Sequence, residues 1–254
     1  MMLLRSLVLA TLLPASLLGA QRADTVVLSP TSSVGIDIRG FKPHQTADAL
    51  VITKGDSVVR SSKWINNWYI ARWRDKPIIQ LLIDTYPGDR NAYHLDVAFD
   101  GKTTGVLHNI QQAASGRWLD VDLVGPRVTG QSRLARDSAV QPVDFTLDTA
   151  SYLAPVMDFT VGAVARWNGV VVRMPAFDMA PAQRKTVWHT WRLVGTDTVR
   201  VGERVVRARI VEDDVATRDR LWIIDEPPYV TRWTKSLPDG STWTLTQAFV
   251  RLNP

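Results

Sequence analysis

Between residues 26 and 250 the sequence is a succession of short apolar runs, each closed by a turn signal after roughly 8–12 residues. The clearest run is 93–99, where Tyr93, Leu95, Val97 and Phe99 fall on one face and His94, Asp96 and Ala98 on the other. Successive side chains of a strand point to opposite faces, so this period of two marks a half-buried strand. Val187, His189, Trp191 and Leu193 alternate in the same way with Trp188, Thr190, Arg192 and Val194, as do Val206, Ala208 and Ile210 with Arg207 and Arg209. Lys54-Gly55-Asp56, Pro87-Gly88-Asp89, Asp100-Gly101, Gly125-Pro126 and Pro238-Asp239-Gly240 supply the turns.

Composition supports a strand-rich chain. Of 25 acidic residues only Glu203, Glu212 and Glu226 are glutamate, and of 30 basic residues only seven are lysine. These are the residues that usually fill helix surfaces. The strand candidates are 26–28, 34–39, 49–53, 57–61, 68–74, 78–84, 93–99, 103–111 and 117–124, then 184–194, 203–212, 221–224, 229–235 and 242–250. The fold class expected is mainly β, as a large curved antiparallel sheet or an incomplete β-barrel. One short helical segment is expected near residues 148–158, where Thr149, Tyr152, Leu153, Val156 and Met157 recur at spacings of three and four. Asp148 or Thr149 would cap it, and Pro155 limits its length.

Residues 1–20 read as a signal peptide: Arg5, an apolar run over 7–18, then Gly19-Ala20 before the cleavage point. That run is too short to span about 30 Å of hydrocarbon comfortably. Residues 21–254 then form a single β-rich domain, with 125–140 as the candidate seam. The chain contains no cysteine, which excludes disulfides, thiolate catalysis and lipid attachment at a cysteine. Absence of thiols suits an oxidising compartment, so the expected location is periplasmic or secreted, soluble after cleavage, with no transmembrane segment. Without Arg5 there are 29 basic residues against 25 acidic, a mild excess with no run of five like charges. This pattern indicates no nucleic-acid partner.

The search for chemistry yields little. There is no G-x-S-x-G, no H-E-x-x-H and no phosphate-binding or dinucleotide glycine motif, so no catalytic residue, cofactor or metal is assigned. His94 and His108 would face each other across the Asp100-Gly101 hairpin as a conceivable metal pair, or be two residues on a solvated face. Asp120 and Asp122 share one face of a strand, a spacing that suits either a carbohydrate-cleaving pair or an ordinary polar surface. The ten tryptophans serve either as core or as lining for a cavity.

The segment Leu221-Trp222-Ile223-Ile224-Asp225-Glu226-Pro227-Pro228-Tyr229-Val230-Thr231-Arg232, followed by Pro238-Asp239-Gly240, carries a resemblance. With Trp222, Asp225, Pro228, Arg232 and Gly240 as matching positions, residues 146–252 resemble an exported bacterial family of unknown function related to the lipoprotein-carrier (LolA/LolB-like) half barrels. The resemblance implies a curved barrel with helical material at its mouth and an apolar interior. The function expected is an exported, non-enzymatic β-protein binding a hydrophobic or lipid-like ligand or a cell-envelope component. The cavity would be lined by Tyr152, Met157, Trp191, Trp222 and Phe249. The alternative is a secreted carbohydrate-active enzyme or carbohydrate-binding module built around Asp120 and Asp122.

Overall fold

The computed structural model describes residues 23–85, 92–180, 184–215 and 218–252, apart from the side chains at 248 and 249. The leader and the Pro87-Gly88-Asp89 turn lie outside the described residues. The first half contains strands β1 (Asp24–Val27), β2 (His44–Lys54), β3 (Ser57–Trp73), β4 (Lys76–Thr85), β5 (Tyr93–Asp100), β6 (Val106–Ala113), β7 (Trp118–Val124), β8 (Arg127–Arg133) and β9 (Gln141–Thr146). After a two-residue β10 (Tyr152–Leu153) come a 3-10 turn (Ala154–Val156) and the helix α1 (Met157–Gly162). The second half holds β11 (Val170–Phe177), β12 (Val187–Val201), β13 (Arg204–Asp213), β14 (Arg220–Ile223), β15 (Val230–Ser236) and β16 (Thr242–Leu252).

All 16 strands belong to one sheet, in the order β1-β11-β12-β13-β14-β15-β16-β2-β3-β4-β5-β6-β7-β8-β9, with β10 beside β11. Two meanders of hairpins are joined where β16 lies antiparallel to β2. Among the described residues only β1 and β10 are parallel to their neighbour, and both lie along one edge of β11. That edge and β9 are the two ends of the sheet, and no ladder joins them. Residues 147–151 nevertheless run directly from β9 to β10, and five residues reach at most about 18 Å. The sheet therefore curls until its ends nearly meet. Side chains cover the gap: the rings of Phe145 and Phe177 are 6.3 Å apart, and the Arg184 guanidinium stands 4.9 Å over Phe145. The result is an open, barrel-like sheet with a seam of side-chain contacts.

A curl of so many strands encloses more volume than wall side chains can fill, and α1 plugs it. Val156 and Phe159 pack into a cluster with Trp68, Leu81, Val97 and Phe99. Met157 and Val161 pack into a second cluster with Met174, Trp191, Val211 and Trp233. Helix formation here depends on burial on both sides, since six residues cannot hold a helix alone.

The expected strand rhythm is present, with differences that have local causes. The candidates 57–61 and 68–74 are one long strand, β3. The stretch 125–140 carries the β7–β8 turn and β8. No strand forms over 34–39. Gly35 takes a φ of +81° and only Ile36 makes a bridge, to Val164, so this segment is an irregular strap across the interior. The helix starts later than Asp148 or Thr149 allow, because Tyr152 and Leu153 are taken by the β11 ladder. Pro155 then sits in the first turn of helical backbone, where its missing N–H has no bond to lose.

Candidate ligand pocket

The strap builds one wall of the main cavity. Leu28 N donates to Arg173 O (2.8 Å), Asp37 N to Ala163 O (2.8 Å) and Phe41 N to Ile38 O (2.9 Å), while Ala165 N donates to Gly35 O (2.9 Å). The strap is thereby stitched to the chain following α1, and Leu28 ahead of it to β11. Against it lie residues 162–168, Arg209 of β13 and the loop from Asp225 to Tyr229. Together they enclose a half-open pocket of about 460 Å³, within the size range of small-molecule sites.

Its apolar side is aromatic. Tyr229 stacks on Phe41 with ring centres 5.8 Å apart and planes 18° from parallel. Phe41 in turn meets Phe159 edge-on at 5.9 Å. The Tyr229 hydroxyl donates to Gly40 O and accepts from Lys42 N, both at 3.1 Å. One side chain thus clamps the strap over the pocket. Tyr229 holds a φ of +63°, a left-handed conformation that a large side chain rarely adopts. The bonds Ile224 N to Tyr229 O and Tyr229 N to Glu226 O, both 2.8 Å, keep it there. The polar side carries Arg209 paired with Asp225, and Asp37 paired with Arg39 at 2.7 Å. The Arg39 guanidinium lowers the Asp37 carboxyl to about 2. Two donors on this side, Trp167 Nε1 and Arg209 Nε, are buried without a hydrogen-bond partner.

Behind Phe159 and Tyr229, which line both cavities, lies a smaller pit of about 50 Å³. Its floor is polar. On β2, His44, Thr46 and Asp48 all point to the buried face. Asn66 of β3 donates through Nδ2 to Asp48 Oδ2 (2.5 Å) and Thr46 Oγ1 (3.1 Å). Burial pushes Asp48 up to about 7 and Asp158 of α1 up to about 6. Burial pushes the His44 imidazole down to about 4, and its ring stacks on Trp68 at 5.8 Å while Nδ1 donates to Lys42 O.

Tyr152, Met157 and Trp191 are brought together, but in the packed cluster against α1, and none of them lines either cavity. Trp222 points to the opposite face of the sheet. Leu221 and Ile223 on either side of it enter the interior, while Trp222 packs with Ala208 and Ile224 in a separate cluster. Its Nε1 donates to Asp197 Oδ2 (3.1 Å), and Arg232 stands 4.7 Å over its ring. The Phe249 side chain lies outside the described residues. Asp120 and Asp122 grip one imidazole: His108 Nδ1 is 2.8 Å from Asp122 and Nε2 is 3.6 Å from Asp120, with Arg74 on Asp122 at 2.6 Å. His94 falls opposite Gln112 and not His108, because the turn after Phe99 is long and pairs Phe99 with Val106, not with Lys102. Among the described residues no group of three or more His, Cys, Asp or Glu could hold a metal, and no helix is long and apolar enough to cross a membrane.

Fold and site define an open, barrel-like β-protein with a plugged interior and a ligand-sized pocket at the plug. No protein-family model matches the sequence, and no curated protein matches it. Among solved structures, the chain is similar to a β-barrel-like protein of the domain of unknown function DUF1849 from Brucella abortus, at 9% identity and a TM-score of 0.49 over 84% of this chain and 98% of that one. It is also similar to a DUF1329 family protein from Desulfovibrio piger, at 11% identity and a TM-score of 0.35 over 85% of this chain and 88% of that one.

Proposed function

We propose that this chain is an exported, non-enzymatic binding protein whose ligand is an amphiphilic small molecule held between the strap and α1. The observation that carries the reading is the 460 Å³ pocket with opposed chemistry on its two sides. Phe41, Phe159 and Tyr229 offer an apolar surface, while the Arg209–Asp225 and Asp37–Arg39 pairs offer a polar one. A ligand with an apolar body and a polar group at one end satisfies both. The lipid-like ligand implied by the resemblance to lipoprotein-carrier half barrels, and the periplasmic or secreted location expected from residues 1–20 and the absence of cysteine, belong to the same reading. A carbohydrate-cleaving pair at Asp120 and Asp122 is less well supported, since both carboxylates are already engaged by His108.

The test is extraction of the purified protein with organic solvent and mass spectrometry of the extract, together with titration of an environment-sensitive apolar dye. Bound amphiphile and a dye site weakened at least tenfold by Phe41→Ala are expected. Trp222→Phe, on the outer face, should leave dye binding unchanged. An empty extract with dye binding indifferent to Phe41→Ala would overturn the proposal.

A further inference from the structure

The pit behind Phe159 and Tyr229 has a one-sided chemistry. Its lining includes Asp48, Asn66, Asp158 and Gln247. The buried side-chain atoms of that lining without a partner are Asp48 Oδ1, Asn66 Oδ1 and Gln247 Oε1, all three acceptors. Asp48 is 3% exposed and Asn66 8%, so bulk water does not satisfy them. Among the described residues neither Asp48 nor Asp158 has an ion-pair partner. The neighbouring cation, Lys235, rests instead on two indole faces, 4.4 Å from the Trp233 ring and 4.8 Å from the Trp243 ring. An unsatisfied buried acceptor costs about 1–3 kcal/mol. A group that brings several N–H donors and a positive charge would answer all of them at once.

Size and wall chemistry narrow the class. A volume of about 50 Å³ restricts the occupant to a small head group, since about 10–15 Å³ of such space already holds a water. Trp64, Trp68 and Trp233 form apolar walls, and indole faces attract cations, as Lys235 already demonstrates. We infer that this pit is a receptor for a single primary ammonium group, held by Asp48, Asn66, Gln247 and Asp158 against tryptophan walls. The inference stands apart from the proposed use of the larger pocket, and it extends that reading only where one ligand reaches both cavities. An ammonium ion bears three donors, matching the three orphan oxygens, while Asp158 contributes charge from the helix side.

Binding should depend on pH through the groups facing the pit. These are Asp48 on β2, Asp158 on α1 and Tyr229 ahead of β15, with Lys235 of β15, outside the lining, acting on Asp158 through its charge. Arg232 also lines the pit, with its guanidinium over Trp222. The linings from β3, β4 and β16 are uncharged. The carboxylates set the profile: with Asp48 raised to about 7 and Asp158 to about 6, both are neutral at pH 5 and hold an ammonium less well there than at pH 8.

The experiment is thermal unfolding of the full chain with n-butylamine, n-butanol, n-butyrate or calcium chloride at equal ionic strength. Butylamine is too short to need the larger pocket. It should raise Tm at pH 8, by an amount that grows with its concentration, and lose the effect at pH 5. Asp48→Asn and, independently, Asp158→Asn should each reduce the apparent affinity at least tenfold. Equal shifts from butanol would mean the pit takes any small apolar molecule. A shift from calcium alone would mean a metal site. A shift that survives both substitutions would place the amine elsewhere. Each of these results overturns the inference, and none touches the dye-binding test of the larger pocket.

Discussion

Replacing Asp48 by asparagine should change how stability depends on pH, and do so in one direction. Asp48 is buried under α1 and its carboxyl is raised from 3.8 to about 7, chiefly by loss of solvent, with the Asp158 charge adding to the effect. The folded state therefore keeps a proton that the unfolded chain releases near pH 4. Stability falls as pH climbs from about 4 towards 7, and levels off once the folded carboxyl has also ionised. Three pK units at 1.36 kcal/mol each correspond to about 4 kcal/mol across that window. Asparagine keeps the shape and can still accept from Asn66 Nδ2, as the Asp48 Oδ2 does at 2.5 Å, but has nothing to titrate. Urea denaturation followed by tryptophan fluorescence from pH 4.5 to 8.5 measures the difference directly. The two proteins should be nearly equal at pH 4.5, with Asp48→Asn more stable by several kcal/mol at pH 8. Parallel curves, or a variant weaker than wild type at pH 8, would refute the assignment of a buried, uncompensated carboxylate at this position.

His44 acts at the acid end. Its pKa is depressed to about 4 by burial, so the stability it confers is present above pH 6.5 and is lost as pH falls towards 4. His44→Gln should flatten that limb of the urea profile. Tyr229→Phe removes one hydroxyl that bridges Gly40 and Lys42. A loss of about 1–3 kcal/mol is expected, with faster hydrogen exchange in the strap and weaker dye binding. Phe177→Ala cuts the ring contact that covers the seam, at a residue 1% exposed. A loss of about 3–5 kcal/mol should appear as a lower urea midpoint, whereas a change below 1 kcal/mol would show that the sheet ends do not meet there.

Period two and turn chemistry made the strands legible wherever one face is apolar. They failed where that rule breaks. In β11, Val170, Val171 and Val172 are consecutive, and Pro175 lies within the strand. The segment is defined by its partners β10 and β12 and by β1, which lies far from it in the chain. β8 contains Gly130, and a Cβ there would lie 2.1 Å from Asp120 O. Composition reads that glycine as a breaker, whereas packing requires it for close approach to β7. The strap shows the converse. Val34, Ile36 and Ile38 alternate like a strand, yet without a neighbouring ladder the alternation merely sends Ile36 and Ile38 inward against the two cores.

The site was hidden for a related reason. A search for cavity lining that favours large apolar residues selects those best at filling space, and Tyr152, Met157 and Trp191 do fill it. Trp222 went astray through parity: one residue along β14 separates the interior from the outer face. What marks the pit in the sequence is the opposite signal, polar residues on the face that ought to be apolar. In β2 the inward positions read His44, Thr46, Asp48 and Leu50, and Asn66 stands opposite Thr46 on β3. Burying such groups is unfavourable unless partners are supplied. The donor present, Asn66 Nδ2 for one oxygen of Asp48, leaves the other oxygen bare. A strand with its polar side inward at the point where a helix closes over it is therefore a stronger pointer to a site than any single tryptophan. Asp48→Asn tests both halves of that statement, since the same substitution should steady the fold at pH 8 and weaken the response to an amine at least tenfold.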